Sequence, residues 1–140
     1  GGVGADTLSG GSGDDVIRGG AGADTVSGGT GADTLRWEAG DLGLDQVYGF
    51  ALGQDVLSFA DAFFGANLPA GGDASDVLFA FLGPNGSSLL MANSAEAGWT
   101  AIAQFHGIGA TALQDAIDNG SLFATDVGVI GGGGAGDLFG

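Results

Sequence analysis

The chain has 140 residues, and its seventeen acidic side chains outnumber two arginines to give a formal net charge of −15. A surface this acidic, with no lysine, lacks the basic patches that nucleic acids require, and it repels anionic membranes and polyanionic glycans unless a cation bridges the surfaces. Cysteine is absent, which excludes disulfide frameworks and thiolate metal sites, and no apolar stretch reaches the length of a membrane-spanning helix.

Apolar residues make up 44% of the chain, enough for one small core, while 32 glycines signal a repetitive, turn-dense architecture. The repetition starts at the first residue. Four nonapeptides follow one another in a single frame: Gly1-Gly-Val-Gly-Ala-Asp6-Thr-Leu8-Ser, Gly10-Gly-Ser-Gly-Asp-Asp15-Val-Ile17-Arg, Gly19-Gly-Ala-Gly-Ala-Asp24-Thr-Val26-Ser and Gly28-Gly-Thr-Gly-Ala-Asp33-Thr-Leu35-Arg. The common form is G-G-x-G-x-D-x-U-x, with U aliphatic. A flexible Gly/Ser linker would not keep Asp and an aliphatic residue in fixed phase.

Each unit divides into a glycine turn and a short strand. Glycines at positions 1, 2 and 4 permit backbone angles closed to other residues and let carbonyl oxygens converge. The aspartate at position 6 adds a carboxylate to that ring. Calcium takes six to eight hard oxygens, a mixture of carboxylates and carbonyls, which two stacked loops can supply and one cannot. Along the strand, side chains alternate. Leu8, Ile17, Val26 and Leu35 are expected inward; Thr7, Val16, Thr25 and Thr34 are expected outward, with Arg18 and Arg36. Asp14 occupies an unspecified position and reads as a solvated charge.

The repeat resembles the calcium-binding nonapeptide of the RTX (repeats-in-toxin) family. That resemblance implies a parallel β-roll with two nonapeptides per turn, so that loops 18 residues apart stack. Asp6 then pairs with Asp24, and Asp15 with Asp33. The implied metal ligands are these four carboxylates, completed by backbone carbonyls of Gly1, Gly2, Gly4, Gly10, Gly11, Gly13, Gly19, Gly20, Gly22, Gly28, Gly29 and Gly31. Calcium is the implied cofactor.

The repeat decays at Trp37-Glu-Ala-Gly-Asp41. The segment Asp45-Gln-Val47-Tyr-Gly-Phe50-Ala-Leu-Gly-Gln-Asp55-Val-Leu57-Ser-Phe59 resembles the D-x-I-x-D-F-x-x-G-x-D-x-L-x-x sequence that follows RTX repeats in type I secretion targets. Gly49 replaces the usual aspartate there, so that position has lost any metal role. Val47, Val56, Leu57 and Phe59 are expected to continue the roll as a cap, since an open roll end exposes strand edges and core. Asp41, Asp45 and Asp55 are additional candidate calcium ligands; the alternative places them as turn and strand-edge carboxylates.

Further on, Asp76-Val-Leu-Phe-Ala-Phe-Leu82 and Ser88-Leu-Leu-Met-Ala92 flank Gly83-Pro-Asn-Gly86, a pattern that predicts a β-hairpin. Trp99 to His106 alternates and predicts a third strand, with a helix from Ala95 as the competing reading. Thr111-Ala-Leu-Gln114 has the form of a capping box and predicts a helix over 112–119, with Leu113, Ala116 and Ile117 on its apolar face and Gly120 as its stop. The expected fold is therefore mainly all-β: a parallel β-roll (1–36), its continuation or cap (37–60), a cap of hairpin, strand and one short helix (61–126), and a Gly-rich tail (127–140).

This order resembles the C-terminal target domain of bacterial RTX adhesins exported by type I systems. The first two parts are shared with mannuronan epimerase R-modules and serralysin-type proteases. Members of that family often end with an acid followed by a few apolar residues as part of the export signal, a pattern that Asp137-Leu-Phe139 resembles; a disordered Gly-rich end is the alternative. The chain lacks a basic, apolar secretory leader. It opens on Gly1 in frame with the repeat and without Met, as an excised fragment or processed product does.

Nothing in the pattern assembles a catalytic centre. His106 is the single histidine and has no partner in local sequence, and no two carboxylates stand apart as an acid–base pair. Trp37 and Trp99 have the chemistry to stack on sugars, but such residues more often anchor cores. The expected role is non-enzymatic: a calcium-dependent folding and type I secretion module of a secreted or cell-surface bacterial protein, an adhesin or surface protein. Its partners are then calcium and the type I export machinery, with no nucleic acid and no membrane insertion. One alternative is a surface-layer or filament subunit with calcium-dependent self-association. Another is a carbohydrate-binding module of an alginate-modifying enzyme.

Overall fold

A computed structural model describes residues 1–67, 77–119, 121–122 and 137–138. Within the repeats, each x-U-x triplet forms a three- or four-residue strand: β1 (Thr7–Ser9), β2 (Val16–Arg18), β3 (Thr25–Ser27) and β4 (Thr34–Trp37). Alternate strands pair in parallel. Leu8 lies beside Val26 in one sheet, and Ile17 beside Leu35 in the other. Two nonapeptides therefore make one turn, with the glycine loops at its two edges.

The roll continues for a third turn. Strand β5 (Asp45–Tyr48) adds to β3, with Val47 beside Val26, and β6 (Val56–Ala60) adds to β4, with Leu57 beside Leu35 and Phe59 beside Trp37. Val56 aligns with Thr34, so it extends the outward row; Leu57 carries the inward position. Trp37 is the last residue of β4; it is buried and stacks on Phe59 with ring centroids 5.3 Å apart.

The cap then takes over one sheet. After α1 (Asp61–Phe64) and a 3-10 turn (Gly65–Asn67), β7 (Leu78–Leu82) and β8 (Ser88–Ser94) form an antiparallel hairpin. Its turn is a 3-10 segment over Pro84–Gly86 with Asn85 at φ 55°, a conformation Asn tolerates better than most residues. Strand β9 (Gly98–Phe105) pairs antiparallel with β8 and parallel with β5, welding the cap to the roll. The sheet order is β1-β3-β5-β9-β8-β7. Of the two readings at Ala95, the strand is the one adopted.

Helix α2 (Ala110–Asn119) buries Leu113, Ala116 and Ile117 as its pattern predicts. Its start differs from expectation. The helix begins before Thr111, so Thr111 sits inside the first turn, not at the cap. Gln114 does not close a capping box either: its Oε1 accepts the Ala80 amide at 2.8 Å and its Nε2 donates to Asp118 at 2.9 Å. That contact satisfies a donor of β7 that strand pairing would otherwise leave free. Gly120, Asp76 and Phe139 lie outside the described residues. Asp137–Leu138 forms β10, antiparallel to β6.

Burial grades along the roll. Val26, Leu35, Val47 and Leu57 are buried in one continuous core with the cap's phenylalanines, whereas Leu8 and Ile17 are only partly covered. Among the described residues no helix is long and apolar enough to cross a membrane.

Candidate metal sites

The parallel register brings the position-6 aspartates into two ladders, one at each edge of the roll. On one edge the Asp6 amide donates to Asp24 Oδ1 at 2.8 Å, and the Asp24 amide to Asp45 Oδ1 at 2.9 Å. On the other, the Asp15 amide donates to Asp33 Oδ1 at 2.9 Å, and the Asp33 amide to Asp55 Oδ1 at 2.9 Å. Asp24, Asp33, Asp45 and Asp55 thus each spend one oxygen holding the turn that precedes them. Asp45 and Asp55 are full members of these ladders although they stand outside the nonapeptides.

The second oxygen separates the candidates. Oδ2 of Asp6, Asp15, Asp24 and Asp33 is buried and has no hydrogen-bond partner. Buried carboxylate oxygens are costly without a donor or a cation. Four such atoms at equivalent positions of four repeats are a pattern, and a hard cation satisfies it. At Asp55 the corresponding oxygen accepts the Ala51 amide at 2.8 Å. The Asp45 carboxylate receives a side-chain hydrogen bond from Trp37.

Glycine at position 1 serves a purpose different from the one its sequence suggests. Positions 2 and 4 do adopt positive φ, as at Gly20 (88°) and Gly22 (112°). Position 1 does not; there the side chain is excluded by space. A methyl group on Gly28 would fall 2.4 Å from Asp33 Oδ2, and one on Gly1 2.5 Å from Asp6 Oδ2. The same point beside Gly10 lies 2.6 Å from both Asp15 Oδ2 and the Gly28 carbonyl oxygen. A carboxylate and a carbonyl from successive turns therefore face one small space. Beside Gly19 the two oxygens are Asp24 Oδ2 at 2.7 Å and Asp45 Oδ2 at 3.4 Å. Among the described residues no three acidic or histidine side chains meet in one cluster, so most of the oxygens a calcium ion takes must be backbone carbonyls.

Loop stacking is tight. A methyl group on Gly20 would fall 2.1 Å from the Gly2 carbonyl oxygen, and one on Gly43 2.2 Å from that of Gly22. The third turn thus reuses the glycine contact without the nonapeptide frame.

Asp41, the remaining candidate, lies off the ladders. Both its oxygens bind Arg18: Nε to Oδ2 and Nη2 to Oδ1, each at 2.7 Å, and Oδ2 also accepts the Glu38 amide. The fork holds the Arg18 pKa above its ordinary value, chiefly through the hydrogen bonds to Asp41. Asp14 is not merely solvated, for its Oδ1 accepts the Ala32 amide at 2.8 Å, one turn away. Asp45 is 3% exposed, and burial pushes its carboxyl up to about 7, with the charges of Asp24 and Asp41 adding to the effect against its hydrogen bonds from the Asp24 amide and Trp37.

His106 stacks flat on Tyr48, with centroids 4.2 Å apart, and shares a hydrogen bond with Gln46. Trp99 is 46% exposed beside Phe79, unlike the buried Trp37.

Residues 1–35 match the RTX calcium-binding nonapeptide repeat in four copies. No curated protein matches the chain.

Proposed function

We propose, on the premise that this chain is a calcium-binding RTX module, that it is a non-enzymatic folding switch belonging to a secreted or cell-surface bacterial protein exported by a type I system. One observation carries the reading: four buried Oδ2 atoms without partners, on Asp6, Asp15, Asp24 and Asp33, in a chain of net charge −15. Self-repulsion and unsatisfied carboxylates both oppose the folded state. Calcium, when bound, supplies the positive charge and the demand for oxygen that make this arrangement favourable. The four carboxylates, with carbonyls of the glycine loops, are the groups that hold it, and Asp45 Oδ2 is placed to assist Asp24.

The chain's own residues determine the rest. Carboxylate Oδ1 atoms lock successive turns to each other. The third turn and β9 supply the apolar cover that the first two turns lack. In a calcium-poor cytosol such a chain remains extended enough for a narrow export channel, and it folds where calcium is plentiful. Adhesive or enzymatic activity then belongs to other parts of the parent protein.

The export claim is tested by fusing a reporter ahead of residues 1–140 in cells with and without a type I exporter. Release that depends on the exporter and on an intact chain supports it. Retention in both strains overturns it while leaving calcium binding untouched.

A further inference from the structure

The third turn meets the nonapeptides differently at its two edges. On the Asp24 edge its loop repeats the stacked glycine geometry. Gly40 has φ 86° and Gly43 φ 124°, against 88° and 112° for Gly20 and Gly22 in the loop before. The Gly22 amide donates to the Leu42 carbonyl at 2.8 Å. A methyl group on Gly43 would overlap the Gly22 carbonyl oxygen, as one on Gly22 would overlap that of Gly4. The loop reads Gly40-Asp-Leu-Gly43-Leu-Asp45 where the repeat has Gly20-Ala-Gly22-Ala-Asp24, so its closing G-x-D is kept.

On the Asp33 edge the loop folds on itself. The Gln54 and Asp55 amides both donate to the Ala51 carbonyl, at 3.1 and 2.8 Å, and the Ala51 amide donates to Asp55 Oδ2 at 2.8 Å. Gly53 precedes Asp55 as Gly43 precedes Asp45, but a methyl group on it would meet nothing within 4 Å. No carbonyl of the loop before lies against it.

The carboxylates divide in the same way. Asp24 is 1% exposed, and its Oδ2 has no hydrogen-bond partner. The space beside Gly19 that this oxygen borders is also bordered by Asp45 Oδ2. Beside Gly28 the nearest atoms all belong to Asp33, and the third turn's own Oδ2 already has its protein donor. Two carboxylate oxygens turned to one buried space repel each other unless a cation joins them.

Resting on the calcium-module reading above, we propose that the third turn adds a metal site on the Asp24 edge alone. It is a hard-cation site beyond the matched residues 1–35, with Asp24 Oδ2 and Asp45 Oδ2 as its carboxylate ligands. Carbonyls of the two stacked glycine loops are the further oxygens that calcium takes. On the other edge the Ala51 amide does for Asp55 what the ion does for Asp45, so that turn closes without metal. Asp33 Oδ2 then serves only the pair it forms with Asp15. The Trp37 side chain hydrogen-bonds the Asp45 carboxylate, which puts an indole next to the added ion and to no other.

The test counts calcium bound to the full chain by titration calorimetry, with circular dichroism to show that each variant folds. Asp45→Asn is expected to bind one ion fewer than the wild type, and Asp55→Asn the same number. Gly43→Ala should also lose one ion, and Gly53→Ala none, although both glycines have positive φ. Terbium, which takes calcium's oxygen ligands and emits when a neighbouring indole is excited, gives a readout that needs no count. Indole excitation of the wild type should yield terbium emission that Asp45→Asn loses and Asp55→Asn keeps. A folded Asp45→Asn with an undiminished count overturns the proposal, as does a wild type without indole-sensitised emission. Loss of one ion in both Asp45→Asn and Asp55→Asn overturns the restriction to one edge. A wild type that binds no calcium at all overturns the calcium-module reading itself.

Discussion

The amide of Asp6 donates to Oδ1 of Asp24 across the 18 residues of one roll turn, while Oδ2 of both carboxylates stays buried without a donor. One residue type thus does two jobs: Oδ1 sets the stacking and Oδ2 is left for a cation. Because the bond runs from the earlier amide to the later carboxylate, the two aspartates are not equivalent. Asp24→Ala removes a ligand and also orphans the Asp6 amide, worth about 1–3 kcal/mol; Asp6→Ala removes only a ligand. Calcium titrations followed by circular dichroism should show the larger midpoint shift for Asp24→Ala. The double variant should fall short of the sum, since both changes strike one stacked pair. Equal and additive shifts would count against shared coordination.

Position-1 glycines should be intolerant of a methyl group for a reason separate from backbone angle. In Gly28→Ala the new Cβ would lie 2.4 Å from Asp33 Oδ2, so the carboxylate must move and calcium affinity should drop. Gly11→Ala meets nothing within 4 Å but has φ 85°, so it should cost ~1–2 kcal/mol of strain. The comparison is made by measuring metal affinity and apparent stability for each variant. Equal losses of affinity would contradict the cradle at position 1.

Asp45 gives the metal-free chain a pH dependence of definite sign. Its carboxyl is raised from 3.8 to about 7 by burial, so the folded state binds the proton more tightly than the unfolded state. Its contribution favours folding at low pH and is lost as pH rises from about 4 to 7, remaining flat above. Circular dichroism in chelator should therefore show β-signal rising as pH falls from about 7 toward 4 in the wild type, with a smaller slope in Asp45→Asn. If the ion engages this carboxylate, calcium uptake near pH 6 should also release a proton that the variant does not, as calorimetry in two buffers would detect. Identical slopes for the two proteins would refute the assignment.

The Arg18–Asp41 fork should matter to stability and not to metal count. Arg18→Ala leaves Asp41, which is 3% exposed, with its amide donor alone. A loss of about 2 kcal/mol is expected, with calcium stoichiometry unchanged. A lost ion in that variant would put Asp41 back among the ligands.

The nonapeptides were legible because their signal is local. Glycine, aspartate and an aliphatic residue recur in fixed phase, and parallel stacking follows from the repeat's resemblance to a known family. The third turn was harder to read because its ladders span 21 and 22 residues, not 18, which breaks the frame while preserving the geometry. Asp45 and Asp55 could be suspected but not ranked against Asp41, whose partner Arg18 lies 23 residues away. The capping-box pattern at Thr111 failed because a tertiary contact, Gln114 to the Ala80 amide, took the side chain that local geometry would have used. The role of the position-1 glycine was visible only once the distance to Asp Oδ2 was known.

Coupling of metal binding to folding is tested most directly by circular dichroism of the whole chain, first in chelator and then during calcium addition, with magnesium as the comparison. The four partnerless Oδ2 atoms predict little β-signal without metal and a cooperative gain with calcium. Magnesium should substitute poorly, because it demands tight octahedral geometry and retains its waters. A full β-spectrum in chelator, unchanged by calcium, would contradict the account.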